Sequence, residues 1–123
     1  MKQNRRSLLV TALSCISASS FPVLAQSTFP SRPIRLVVPF PPGGSTDVAA
    51  RTIAERLAND FGQPVIVDNR PGAGTTIAAT QVAASPADGH TLFITGTISH
   101  ASAAALYTNL QYDPVKSFEA VGF

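Results

Sequence analysis

Cysteine is almost missing from this sequence. Its single copy, Cys15, lies within the first 25 residues of a 123-residue chain. The rest therefore has no disulfide, no thiolate metal site and no cysteine nucleophile. Long apolar runs are missing too: none reaches the ~18 residues that a membrane-spanning helix needs. A basic surplus is missing outside the first few residues. The formal charge is +2, but Lys2, Arg5 and Arg6 supply more than all of it. From Gln26 onward six basic residues (Arg32, Arg35, Arg51, Arg56, Arg70, Lys116) face seven acidic ones (Asp47, Glu55, Asp60, Asp68, Asp88, Asp113, Glu119). No basic face is left for nucleic-acid phosphates. His90 and His100 have no ligand-type partner at metal-binding spacing, so no metal or cofactor is expected.

What is present begins with a leader. Lys2, Arg5 and Arg6 form a positive start, Leu8–Ile16 a short apolar centre, and Val23-Leu24-Ala25 a small-residue end. These are the three parts of a secretory signal peptide, with cleavage expected after Ala25 and a periplasmic mature chain. Arg5-Arg6 leaves twin-arginine export open. Ala12-Leu13-Ser14 places leucine one position too late for lipid attachment at Cys15.

The body alternates strand and helix signals. Ile34–Val38 is a β-branched run between prolines and reads as a buried strand. Asp47–Phe61 reads as a helix, because Ala50, Ile53, Ala54, Leu57, Ala58 and Phe61 share one face. Ser45, Thr46 or Asp47 is its expected cap and Gly62 its stop. Arg51–Glu55 and Arg56–Asp60 are expected i,i+4 pairs. Val65–Val67 and Thr91–Thr95 read as further strands, Thr75–Ala84 and Ser102–Tyr107 as helices, and Glu119–Phe123 as the opening of another strand. The β-α-β-α-β-α order predicts a parallel sheet with helices on its faces and right-handed crossovers. Loops 39–46, 69–74 and 96–100 then share the sheet's C-terminal edge, where open α/β sheets bind ligands. Two are glycine-rich and run into helix N-termini, which favour anions.

Four strings carry a resemblance. They are Pro33-Ile34-Arg35-Leu36-Val37-Val38-Pro39-Phe40-Pro41-Pro42-Gly43-Gly44-Ser45-Thr46-Asp47, Gly62–Gly74 (GQPVIVDNRPGAG), Asp88–Leu92 (DGHTL) and Tyr112–Phe118 (YDPVKSF). Together, over Phe29–Phe123, they resemble the Bug family, the extracytoplasmic solute-binding receptors of tripartite tricarboxylate transporters. The resemblance implies one parallel-sheet lobe of a two-lobed, type II-like periplasmic binding protein, with residues 26–123 as the N-terminal part of its first lobe. Family members are much longer, so a truncated piece is expected. The implied ligand is a small carboxylate (an amino acid, a dicarboxylate or an aromatic acid), and the implied partner is a membrane permease. Carried over, the ligand contacts are Phe40, Gly44, Ser45, Thr46 and Asp47, then Ala73 and Gly74, then Thr97, Ser99 and His100.

Several residues keep two readings. Gly43-Gly44 serves a tight turn or a close ligand approach. Asp47 is a helix cap or receives a ligand's amino group. Arg70 meets the ligand or pairs with Asp68. His100, at a strand's C-terminal end, is a better site candidate than His90. No Lys-Ser/Thr follows the glycines, so a nucleotide P-loop is unsupported. An enzyme using Ser45 or Ser99 lacks a G-x-S-x-G frame. A fragment that binds nothing is the remaining alternative to a receptor.

Overall fold

A computed structural model describes residues 28–122. Three strands, β1 (Ile34–Val38), β2 (Val65–Asn69) and β3 (Thr91–Phe93), form one parallel sheet in the order β2-β1-β3. The register pairs Leu36 with Val67 on one side and with Leu92 on the other. Helices α1 (Ser45–Phe61), α2 (Thr76–Ala83) and α3 (Thr97–Leu106) follow the three strands in turn, and a 3-10 turn at Ala73–Thr75 leads into α2. The first crossover runs outward from the central strand and the second returns past it. Right-handed connections then set α1 and α2 on opposite faces. This buries β1 on both sides: Ile34, Leu36, Val37 and Val38 are each at most 4% exposed. Leu36 and Val38 pack on Ala50 and Ala54 of α1, with Val65, Val67, Leu92, Ile94 and Phe40 around them. Alanine at 50 and 54 lets the helix lie close on the β-branched strand.

The parallel α/β sheet is the one that the alternating signals predict, and β1 has the predicted bounds. Gly62 ends α1 in a left-handed conformation (φ 66), with its N–H bonded to the Ala58 carbonyl at 3.0 Å. That is the glycine stop the sequence indicates.

Six details differ. The apolar face of α1 is only partly covered: Ala50 and Ala54 are buried, while Ile53 and Phe61 are 43% and 40% exposed. The stripe is wider than the part of the three-stranded sheet beneath it. None of Ser45, Thr46 and Asp47 caps α1; Gly44 is the N-cap and no side chain bonds there. Arg51 turns back to Asp47 (2.9 Å) instead of forward to Glu55, because Asp47 sits buried in the first turn with acceptors to fill. Arg56–Asp60 forms as expected, at 3.3 Å. Strand β3 ends at Phe93, although the Ile94 N–H still reaches the Val37 carbonyl at 3.0 Å. Helix α3 starts at Thr97, not Ser102, because extended Gly96 (ψ 138) takes the N-cap. Positions 97–100 are therefore a first helical turn, not a loop. Finally, Glu119–Gly122 is irregular chain with Val121 84% exposed, not a strand; it pairs with no strand among the described residues. The leader, residues 1–25, lies outside the described residues.

Candidate functional site

Parallel strands place three strand-to-helix junctions on one edge of the sheet. The N-caps there are Gly44, Thr75 and Gly96, and at none of the three does a side chain bond to the first turn. The first N–H groups of a helix have no partner inside it. In α1 the first rung is Val48 N–H to the Gly44 carbonyl, and in α3 it is His100 N–H to the Gly96 carbonyl, both at 3.0 Å. The N–H groups of Ser45, Thr46 and Asp47, and of Thr97, Ile98 and Ser99, precede those rungs. Both helices direct donors and a positive dipole end toward the shared edge, which suits an anion.

The first junction is held by a buried carboxylate. Asp47, 3% exposed, accepts from Gly43 N–H at 2.9 Å, Arg51 Nε at 2.9 Å, Arg51 Nη2 at 3.1 Å and Asn69 Nδ2 at 2.9 Å. The Arg51 hydrogen bond first, then Gly43 N–H and Asn69, lower its pKa to about 2. Of its two sequence readings, neither a side-chain cap nor a free group results: both oxygens are occupied. Arg51 also balances its charge, so the N-terminus of α1 is not made anionic. Phe40 leans its ring on the core, and its carbonyl accepts from Asn69 Nδ2 at 3.1 Å. Ser45 is exposed and Thr46 half-buried at the mouth of the helix.

The second junction is left-handed throughout. Ala73, Gly74 and Thr75 have φ of 44, 58 and 81. A Cβ on Gly74 would lie 2.8 Å from the Tyr107 hydroxyl, so Tyr107 from the end of α3 fills the space a side chain would take. Thr75, the expected start of the second helix, is its N-cap instead. It is 4% exposed, and its hydroxyl has no hydrogen-bond partner among the described residues. A β-branched residue at positive φ is a genuine outlier and collects at functional loops. In sequence it is hidden, because a threonine at a helix start reads as an ordinary cap. Arg70 is bound to Asp68 at 3.0 and 3.1 Å, the pairing that the sequence leaves open.

At the third junction Thr97 is exposed, and the Ser99 hydroxyl donates to the Gly96 carbonyl at 2.9 Å. His100 is drawn into an aromatic cluster. Its ring stands 5.0 Å from Phe118, 6.0 Å from Phe93 and 6.1 Å from Tyr112. Its Nε2 lies 2.9 Å from the Pro114 carbonyl, which can only accept, so that nitrogen carries the proton. Asp113 accepts from Val115 and Lys116 N–H at 2.9 and 3.0 Å, bonds that lower its pKa. The Tyr112–Phe118 string is thus a closed turn clamped over α3 by His100.

A groove of about 410 Å³ between α1 and the outer edge of β2 is lined by Arg51, Ala54, Glu55, Ala58, Pro64, Val65 and Val67. It contains none of the candidate residues and is an uncovered flank of the sheet. Among the described residues no cluster of three His, Cys, Asp or Glu side chains could hold a metal ion. No described helix is long and apolar enough to cross a membrane.

Known proteins resemble this chain closely. BugT of Bordetella pertussis is 47% identical over 89 residues, which are 72% of this chain and 27% of BugT. The solved periplasmic binding protein BugD is 43% identical with a TM-score of 0.70, over 74% of this chain and 30% of BugD. MatC from Rhodopseudomonas palustris, solved with bound malate, is 47% identical with a TM-score of 0.68, over 73% of this chain and 31% of MatC. The chain thus spans about a third or less of these proteins. The family described as "Tripartite tricarboxylate transporter family receptor" matches residues 49–123. Match, motifs and parallel sheet agree, and the chain belongs to the receptor family of the tripartite tricarboxylate transporters.

Proposed function

We propose that the chain is part of a periplasmic solute-binding receptor, one that holds a small dicarboxylate at the C-terminal edge of its sheet for delivery to a membrane permease. In this reading residues 1–25 are the export leader and residues 26–123 belong to the first of two lobes. The chain binds and releases its ligand without changing it. One observation carries the proposal: three successive helices open on the same sheet edge with no side chain capping any of them. The ligand sites are Phe40, Gly44, Ser45, Thr46 and Asp47, then Ala73 and Gly74, then Thr97, Ser99 and His100. Their roles differ. Backbone N–H groups and the hydroxyls of Ser45, Thr46 and Thr97 meet the carboxylate, while Asp47, Phe40 and His100 hold the junctions in place. Malate bound to MatC supports a short dicarboxylate. Hydrogen bonds to a charged group are worth about 1.5–3 kcal/mol each, so several hold a carboxylate without an ion pair.

Calorimetry with malate on the full chain, and on BugT carrying residues 28–122 in place of its own segment, tests this. Gly44→Ala is the probe. Gly44 has φ −77, and an added Cβ meets only the Pro41 carbonyl at 3.7 Å. Alanine is a poorer N-cap, yet it narrows the unfolded ensemble by about 0.4–1 kcal/mol, so stability stays nearly level. The methyl stands before the free N–H groups, and affinity is expected to fall at least about tenfold, or 1.4 kcal/mol. Arg70→Gln, already committed to Asp68, is expected to change affinity no more than about threefold. Loss of binding in Arg70→Gln with Gly44→Ala unaffected refutes the proposal.

A further inference from the structure

Asn69 ends β2 directly opposite Val38, the last residue of β1. It therefore stands between the first and second junctions. Its Nδ2 donates twice, to the Phe40 carbonyl at 3.1 Å and to Asp47 Oδ1 at 2.9 Å. Neither partner can donate in return, because one is a carbonyl and the other an ionised carboxylate, so both amide protons are spent there. Its Oδ1 lies 3.4 Å from Arg51 Nη2. Asp47 in turn holds Gly43 N–H. One side chain thus links the chain before the glycines, the first turn of α1 and the end of β2.

We propose that Asn69 is a positioning residue: it fixes the Phe40–Gly44 loop against the second junction, so that the free N–H groups of α1 are pre-set for the ligand. The inference rests on the carboxylate-receptor reading for its consequence, but its geometry stands apart from it. The role needs an amide. Aspartate has the same shape but no donor, and would set an oxygen against the Phe40 carbonyl and Asp47. A small aliphatic residue would leave both acceptors unpaired. Loss of the brace leaves a site with the same donors held less rigidly, and the ligand then has to order the loop as it binds. The charged groups facing position 69 are Asp47 and Arg51 on α1, with Asp68 and Arg70 beside it in sequence; loop 40–44 contributes only a carbonyl.

Amide hydrogen exchange on the full chain reads the brace without a ligand. Gly43 N–H, bonded to Asp47, reports the loop, and Gly62 N–H, bonded to the Ala58 carbonyl at the far end of α1, reports the fold. In Asn69→Ala, protection at Gly43 falls by about tenfold or more while Gly62 stays within about twofold. Asn69→Asp loses the same protection at pH 7 and regains part of it as the pH falls from about 6 to 4, because a protonated carboxyl supplies one of the two missing donors. Asn69→Ala regains nothing, so a role of bulk alone does not reproduce the pattern. Malate affinity in both variants at pH 7 falls at least about fivefold; at low pH, where malate itself takes up protons, the deficit measured against the wild-type chain at the same pH shrinks only in Asn69→Asp. Unchanged Gly43 protection in Asn69→Ala, or the same pH profile in both variants, overturns the proposal. A wild-type chain that takes up no malate counts against the receptor reading, while the exchange result still decides the brace.

Discussion

Asp47→Ala is expected to destabilise the protein by about 3 kcal/mol and to flatten its response to acid. The substitution removes the acceptor of four hydrogen bonds, from Gly43, from two nitrogens of Arg51 and from Asn69. Bonds to a charged group contribute about 1.5–3 kcal/mol each, but members of one network do not add, so the net loss is well below their sum. Arg51 is 57% exposed at its side chain and returns to water at little cost, so the loss falls mainly on the half-buried Asn69 amide and on Gly43 N–H, which both give up their acceptor. For about 100 residues, each kcal/mol moves Tm by roughly 4–8 °C, so a fall of about 12–24 °C is expected. The sign of the acid response follows from the lowered pKa. A carboxylate at about 2 when folded, against 3.8 when unfolded, stabilises the fold above about pH 4. That contribution is lost as the pH falls from about 4 to 2. In Asp47→Ala this part of the slope disappears, leaving that of Asp88 and Asp113, whose pKa values are also lowered by hydrogen bonds. Denaturant melts from pH 2 to 7 on both proteins measure it. Parallel curves would show that Asp47 is not the acid-sensitive group.

Gly74→Val is expected to be the second severe change. Two costs combine. Position 74 has φ 58, and a β-branched residue there costs about 1–3 kcal/mol. The new Cβ also lies 2.8 Å from the Tyr107 hydroxyl and 3.3 Å from its ring, so the ring must shift. Together they destabilise by about 2–4 kcal/mol and disturb the contact between α3 and the second junction. A Tyr107→Ala background separates the two. There, Gly74→Val loses only the backbone part, so thermal melts should show a double variant less damaged than the sum of the singles. Strict additivity would mean that Tyr107 does not pack on Gly74.

This adds to what a glycine at 74 means. The resemblance implies a ligand contact there; the structure supplies a second reason for glycine in Tyr107, thirty-three residues away and invisible in local pattern. Partners distant along the chain also explain what the sequence misses. The alternation of β-branched and helical segments is written locally, so β1, the parallel order and the Gly62 stop were all legible. The partner of Arg51 was not. Asp47 and Glu55 are equally spaced from it, and only burial of Asp47 under Asn69 and Gly43 decides between them. The start of α3 was missed because Gly96-Thr97 resembles a loop until an extended glycine is known to cap a helix. Of the candidate site, the three junctions were legible from glycines and polar residues following strands. The role of Asn69 was not, since an asparagine at a strand end is ordinary in sequence and acquires a role only through distant partners; nor was the positive φ of Thr75, which no local pattern marks.

The central claim is that backbone donors at the helix N-termini, and not an arginine, receive the carboxylate. A titration of the ¹⁵N-labelled full chain with malate, followed by amide and guanidinium NMR signals, tests it most directly. The account predicts that the largest saturable shifts fall on the N–H groups of Ser45, Thr46 and Asp47 and of Thr97, Ile98 and Ser99, with Arg70 Nε nearly still. Shifts concentrated on Arg70 Nε or Arg51 Nε, with those six amides unmoved, would contradict it.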